Sequence, residues 1–137
     1  MNIKKFTWSV LAYVVVSFIL GFTWHLIIFK EIYFGFGIYT RENPIFAFGV
    51  GSMVLQGLIL AYLYPFFHRG TQPIPTGIFF GLLMGAYMWS VTVLAFAAKT
   101  QVNSLATFFT LSTLYHVIQF VIAGALIGWI YGPTVKR

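Results

Sequence analysis

The sequence predicts an all-α integral membrane protein, a four-transmembrane-helix up-down bundle, and three observations predict it. The hydrophobic fraction is 60% against a charged fraction of 7%, whereas a soluble domain typically carries roughly 25% charged residues to solvate its surface. Four apolar stretches are long enough to cross a bilayer, each free of Asp, Glu, Lys and Arg, and a crossing needs about 20 such residues. Lipid tolerates that composition only where each segment satisfies its own backbone, as a helix does.

The predicted spans run over about 6–29, 46–67, 76–98 and 106–131 of a single membrane domain covering 1–137. Lys4 and Lys5 followed by an apolar run resemble a secretory signal, but the run is too long and no small-x-small site follows, so it is read as a retained helix. Pro44 opens the second span and Pro65 lies in its last turn, Pro73 and Pro75 precede the third, and Pro133 follows the fourth. The helices are therefore expected to be continuous, unlike the broken helices that bind ions in many transporters.

Charge sets the expected orientation. Lys4, Lys5, Arg69, Lys136 and Arg137 fall on one side, and Lys30, Arg41 and Lys99 on the other beside Glu31 and Glu42. The positive-inside bias then makes both termini cytoplasmic, with Trp8 and Trp129 near the inner interface. The eight basic residues are scattered over span ends and form no basic face for nucleic acid. The long connection Lys30 to Asn43, rich in aromatics and Gly, is expected to lie in the outer interface.

Each span has one side expected to face protein. On the fourth, Ser112, His116, Gln119 and Ala123 share a narrow sector with Tyr115 at its edge. The third carries Gly77, Gly81 and Gly85 with Thr92 near the same side, the first Ser9, Tyr13, Ser17, Gly21 and Trp24, and the second Gly49, Met53, Gln56 and Leu60. Small residues at such spacing admit a close neighbouring backbone, and Gly124 and Gly128 join Gly77, Gly81 and Gly85 as expected packing positions. There is a hint of two hairpins in parallel repeat: Val54-Leu55-Gln56 is echoed by Val117-Ile118-Gln119, and Gly21 with Trp24 by Gly85 with Trp89.

Gln56, Tyr115, His116 and Gln119 form the candidate ligand site, with Trp24 and Trp89 as aromatic walls. It offers donors and acceptors without fixed charge, which suits a neutral amphiphile better than an ion. No metal and no cofactor is expected. Haem held by His25 and His116 is the weak alternative, disfavoured because His25 sits about 6 Å and His116 about 15 Å from the outer ends of their helices. Without a cysteine, an intramembrane carboxylate or a nucleophile motif, the chain is not expected to be an enzyme.

The run Gly21-Phe22-Thr23-Trp24 with Phe29, and the closing Ala123-Gly124-Ala125-Leu126-Ile127-Gly128-Trp129, resemble an uncharacterised family of small four-span bacterial membrane proteins. In place of that family's usual Trp-Tyr this chain has Trp24-His25. The resemblance implies the four-span topology and a bacterial inner-membrane location, and it implies no activity. The functional expectation is a structural or accessory subunit that assembles through small-residue faces into a homo-oligomer or a larger membrane complex. The alternative is a binder or conduit for a lipid, a quinone or another small neutral amphiphile.

Overall fold

A computed structural model describes residues 2–38, 41, 43–68 and 70–133. The charge argument's Arg69, Glu42, Lys136 and Arg137 lie outside the described residues. The described chain is all helical, with four helices long and apolar enough to cross a membrane: Ile3–Ile28, Phe46–Phe67, Pro73–Ala95 and Leu105–Tyr131.

Helix α1 (Ile3–Thr23) starts on Asn2, whose side chain accepts from Lys5 N and so serves one of the orphan amides of the first turn. It passes directly into a π-helical segment, Trp24–Ile28, and then into the short α2 (Lys30–Gly35). Helix α3 (Phe46–Phe67) contains Pro65 near its end. Helix α4 (Pro73–Trp89) continues as a second π-helical segment, Ser90–Ala95. Pro73 and Pro75 thus belong to the first turn of α4 rather than preceding it, because amides there have no intrahelical acceptor to lose. Helix α5 (Leu105–Tyr131) ends at Gly132, whose φ of 67° turns the chain out of the helix.

The spans are unbroken as expected, but the first and third widen to π geometry at their ends away from the termini. The first turn of α1 and the last turn of α5 lie at one end of the bundle, where Lys5 Nζ donates to the Tyr131 carbonyl. We call that the terminal end and the opposite one the distal end.

Helices α4 and α5 make the closest contact, backbone on backbone. A Cβ built on Gly77 would strike the Gly124 carbonyl, one on Gly81 the Phe120 carbonyl, one on Gly124 the Gly77 carbonyl and one on Gly128 the Pro73 carbonyl. The small-residue stripe is therefore consumed inside the chain. Helix α1 packs on α3 and α5, while α3 and α4 barely touch. The expected inward stripe of α3 is corrected at Gly49, which is exposed with nothing within 4 Å of a built Cβ. The buried positions of α3 are Gly57, Leu60, Ala61 and Tyr64, all in its terminal half.

Two apolar cores result. The terminal one joins Tyr13, Leu60, Tyr64, Phe80, Phe120, Ala123 and Ile127. The distal one joins Tyr33, Phe36, Val93, Val102 and Phe108. Tyr33 and Phe36 come from the connection expected to lie in the interface, yet they are buried in protein. The connection is held there by Asn103, whose Nδ2 donates to the Gly35 carbonyl at 2.9 Å and whose backbone N donates to the Phe36 carbonyl at 3.3 Å.

Candidate functional site

Between the two cores every helix contributes a polar side chain, and buried polar groups in lipid must find partners within the protein. Tyr13 is the hub. Its hydroxyl donates to Gln56 Oε1 at 2.6 Å and receives the Gln119 amide at 3.4 Å. The same amide also donates to Ser17 Oγ at 2.9 Å. Gln56 and Gln119, expected to meet across the bundle, are thus joined through Tyr13 rather than directly.

Above this layer, toward the distal end, is a cavity of about 280 Å³ lined by His25, Tyr33, Ser52, Gln56, Thr92, Ser112, Tyr115, His116 and Gln119 with Met53, Met88, Val93, Phe108 and Phe120. Among these described residues there is no Asp, Glu, Lys or Arg. The cavity shares Gln56, Met88 and Phe120 with an apolar crevice of about 350 Å³ between α3 and α4, walled by Ile59, Leu60, Leu63, Met84 and Tyr87. That crevice lies where α3 and α4 fail to close on one another. On the distal side His25 and Tyr33 also line a pocket of about 340 Å³ that reaches Arg41 and Pro44.

Both π segments serve this cavity. Trp24–Ile28 carries His25 and Ser90–Ala95 carries Thr92, and π turns of this kind recur at functional sites because the wider turn re-aims side chains. The repeated Gly and Trp motifs mark these places: Trp24 opens the first π segment and Trp89 immediately precedes the second.

His25 Nδ1 lies 3.0 Å from the Gly21 carbonyl, and His116 Nδ1 lies 2.7 Å from the Ser112 carbonyl. A carbonyl only accepts, so both Nδ1 atoms carry a proton. His116 Nε2 is 3.0 Å from Thr92 Oγ1, which is also 2.8 Å from the Met88 carbonyl. The Ser112 partner of His116 is its carbonyl and not its hydroxyl, so the two do not form a nucleophile and base.

Of the candidate ligand residues, Gln56, Tyr115, His116 and Gln119 line the cavity together. Trp24 and Trp89 do not. The Trp24 indole donates to the Tyr33 hydroxyl at 3.1 Å, and its ring packs behind the wall on Phe29 and Tyr115 at 4.6 and 5.9 Å. Trp89 donates to Thr113 Oγ1 at 2.9 Å and faces a separate pocket between α4 and α5. The aromatic walls are Tyr33, Phe108, Tyr115 and Phe120 instead. Burial pushes the Tyr33 hydroxyl's pKa up, against the opposing pull of its hydrogen bonds with Trp24 and Ser112.

The depth argument that separated His25 from His116 is corrected. Both rings pack on Tyr115, with centroids at 4.6 and 5.7 Å, and both line one cavity. The first span does not end level with the start of α5: Phe36, beyond α2, meets Phe108 of α5's first turn at 5.5 Å, which places His25 deeper than a helix end at Phe29 implies. Among the described residues no three His, Cys, Asp or Glu side chains group as a metal site. Among the described residues, His25 Nε2 has no hydrogen-bond partner, unlike His116 Nε2.

Comparison with known proteins adds no assignment: no protein-family model, no curated protein and no solved structure matches the chain.

Proposed function

We propose that the protein binds, or passes along, a small neutral amphiphile drawn from the surrounding bilayer, with its head group in the polar cavity and its apolar part in the crevice between α3 and α4. The observation that carries this reading is the adjacency of a polar chamber and an apolar crevice, which share Gln56, Met88 and Phe120 as lining residues. A small-molecule site typically combines an apolar enclosure of about 300–1,000 Å³ with a few placed polar groups. A site opening sideways between helices is accessible to a molecule dissolved in lipid, and one without fixed charge favours a neutral head group. The same proposal puts the protein in a bacterial inner membrane with its terminal end cytoplasmic, an orientation that Lys4 and Lys5 at that end support.

Native mass spectrometry of protein extracted gently from its own membrane tests this. A discrete additional mass on the protein is expected, and Leu63→Trp, which fills the crevice from its half-open rim, is expected to remove it. Retention of the same mass by this variant, or no bound mass in the unaltered protein, overturns the reading.

An accessory-subunit role retains one support. The distal half of α3 is exposed, and Gly49 and Gly51 lie open on it. The same spectrum distinguishes this role, because it requires a second polypeptide at fixed stoichiometry.

A further inference from the structure

The apolar crevice between α3 and α4 is closed at its terminal end, and the place where it closes sets the length of tail it can hold. Its last wall residues in that direction are Leu63 on α3 and Met84 on α4. One helical turn further toward the terminal end, on the same faces of the two helices, stand Phe67 and Phe80, and their rings meet with centroids 5.3 Å apart. The two rings floor the crevice. Phe67 also packs on Phe79 at 6.0 Å, and Phe80 is braced at 5.5 Å by Tyr64, whose hydroxyl donates to the Pro73 carbonyl at 2.7 Å. The walls above are softer, because Met84 and Met88 are unbranched side chains that adapt to the shape of a guest.

We infer that the site selects an amphiphile with a single short tail, of about decyl length, and that Phe67 against Phe80 is the floor that measures it. This rests on the binding reading above. Gln56 lines both the polar chamber and the crevice, and Leu63 is the crevice residue of α3 nearest the floor. The rise from position 56 to position 63 is about 10.5 Å, at about 1.5 Å per residue. One leaflet supplies about 15 Å of hydrocarbon, half of a core of about 30 Å, and chains of hexadecyl length fill it, so the crevice takes about two-thirds of such a chain. Its volume of about 350 Å³ is near the lower end of the roughly 300–1,000 Å³ of small-molecule sites, which leaves room for one tail and none for a second beside it. A longer tail strikes the floor before its head group reaches Gln56. It binds with the head group displaced, or with its end bent out into lipid.

The test is native mass spectrometry of the delipidated full chain with three neutral glycerol ethers at equal mole fraction in the micelle: decylglycerol, hexadecylglycerol and the two-tailed didecylglycerol. Decylglycerol is expected to bind the unaltered protein about tenfold more tightly than either of the others, the scale of one head-group hydrogen bond left unmade. Phe67→Ala removes one ring of the floor and is expected to bring hexadecylglycerol to within about threefold of decylglycerol. Phe66→Ala makes the same change at a neighbouring ring that is 62% exposed and contacts Tyr62 of its own helix, and it is expected to leave the ratio unchanged. Where Phe67→Ala does not fold, Phe67→Leu keeps an apolar side chain over Phe80 and is expected to move the ratio the same way by a smaller factor. Equal affinity for decyl and hexadecyl tails, or for one tail and two, overturns the length inference and leaves the binding reading standing. So does a ratio that the Phe67 variants leave unchanged, or that Phe66→Ala moves as far. Retention of none of the three probes overturns both.

Discussion

The Tyr13 hydroxyl sits 2.6 Å from Gln56 Oε1 and donates to it, tying the first span to the second at the floor of the cavity. Because the same oxygen receives the Gln119 amide at 3.4 Å, one side chain on α1 sets the orientation of both amides. Tyr13→Phe removes the donor to Gln56 Oε1 and one of the two acceptors of the Gln119 amide, which keeps Ser17. The expected loss is about 1–2 kcal/mol of stability in reversible unfolding from mixed micelles, more than the roughly 0.6 kcal/mol of an average interhelical bond in a membrane. Ser52→Ala is the control, since that hydroxyl is exposed and bonds only within its own helix. Equal effects of the two substitutions would show that the amides reorganise without Tyr13.

The glycines of α4 and α5 divide sharply from those of α3. A methyl group at Gly81 would meet the Phe120 carbonyl, while Gly49 has open space. Gly81→Ala is expected to push α4 and α5 apart at a cost of about 3 kcal/mol or more, since backbone cannot yield as a side chain does. Gly49→Ala is expected to be neutral or to stabilise by up to about 1 kcal/mol through helix propensity. Thermal unfolding of both variants checks this. A mild Gly81→Ala would mean that the helix pair is looser than its geometry requires.

Much of this architecture is legible in the sequence, because lipid imposes strong local constraints. The four spans follow from apolar length, and the burial of Ser112, Gln119 and Ala123 follows from helical phase. The meeting of Gln56, Tyr115, His116 and Gln119 is legible for the same reason, each being polar in an apolar span. Thr92 is expected near the protein-facing side of the third span, but its place at this cavity, like that of His25, escapes that logic because it depends on π turns, which shift the helical phase beyond Trp24 and Trp89 without a breaking residue to announce it. Tyr33 escapes because its burial depends on α2 folding back over the bundle. The two tryptophans were natural wall candidates by type, yet an indole N–H buried in lipid seeks the nearest acceptor, and Tyr33 and Thr113 supply it away from the cavity.

His68 offers a test of a different kind. It is 5% exposed, its ring stacks on Tyr64 at 5.4 Å and 8°, and among the described residues neither ring nitrogen has a hydrogen-bond partner. An apolar ring of similar shape keeps the stacking and removes two unpaired polar atoms, so His68→Phe is expected to stabilise the protein by about 1 kcal/mol. Loss of stability in the same unfolding assay would mean that water or a lipid head group serves the imidazole.

The distal connection packs against the cavity through Tyr33, and the turn after α2 is made by a glycine in the left-handed region. Gly37 has φ of 76°, and a Cβ there would also lie 3.2 Å from Asn103 Nδ2, the atom that holds the Gly35 carbonyl. A non-glycine residue is strained in that backbone region. Gly37→Ala therefore acts twice, on the backbone and on the Asn103 tether, while leaving the four spans untouched. Hydrogen exchange read by mass spectrometry is expected to accelerate by about tenfold or more over Lys30–Gly35, corresponding to a local loss of roughly 1–2 kcal/mol, with α4 and α5 unchanged. Asn103→Ala removes the tether alone and is expected to give a smaller acceleration in the same segment. Faster exchange throughout the bundle would instead make the connection part of the global folding unit, and no change in either variant would mean that Tyr33 and Phe36, buried against Phe108, hold it without the tether.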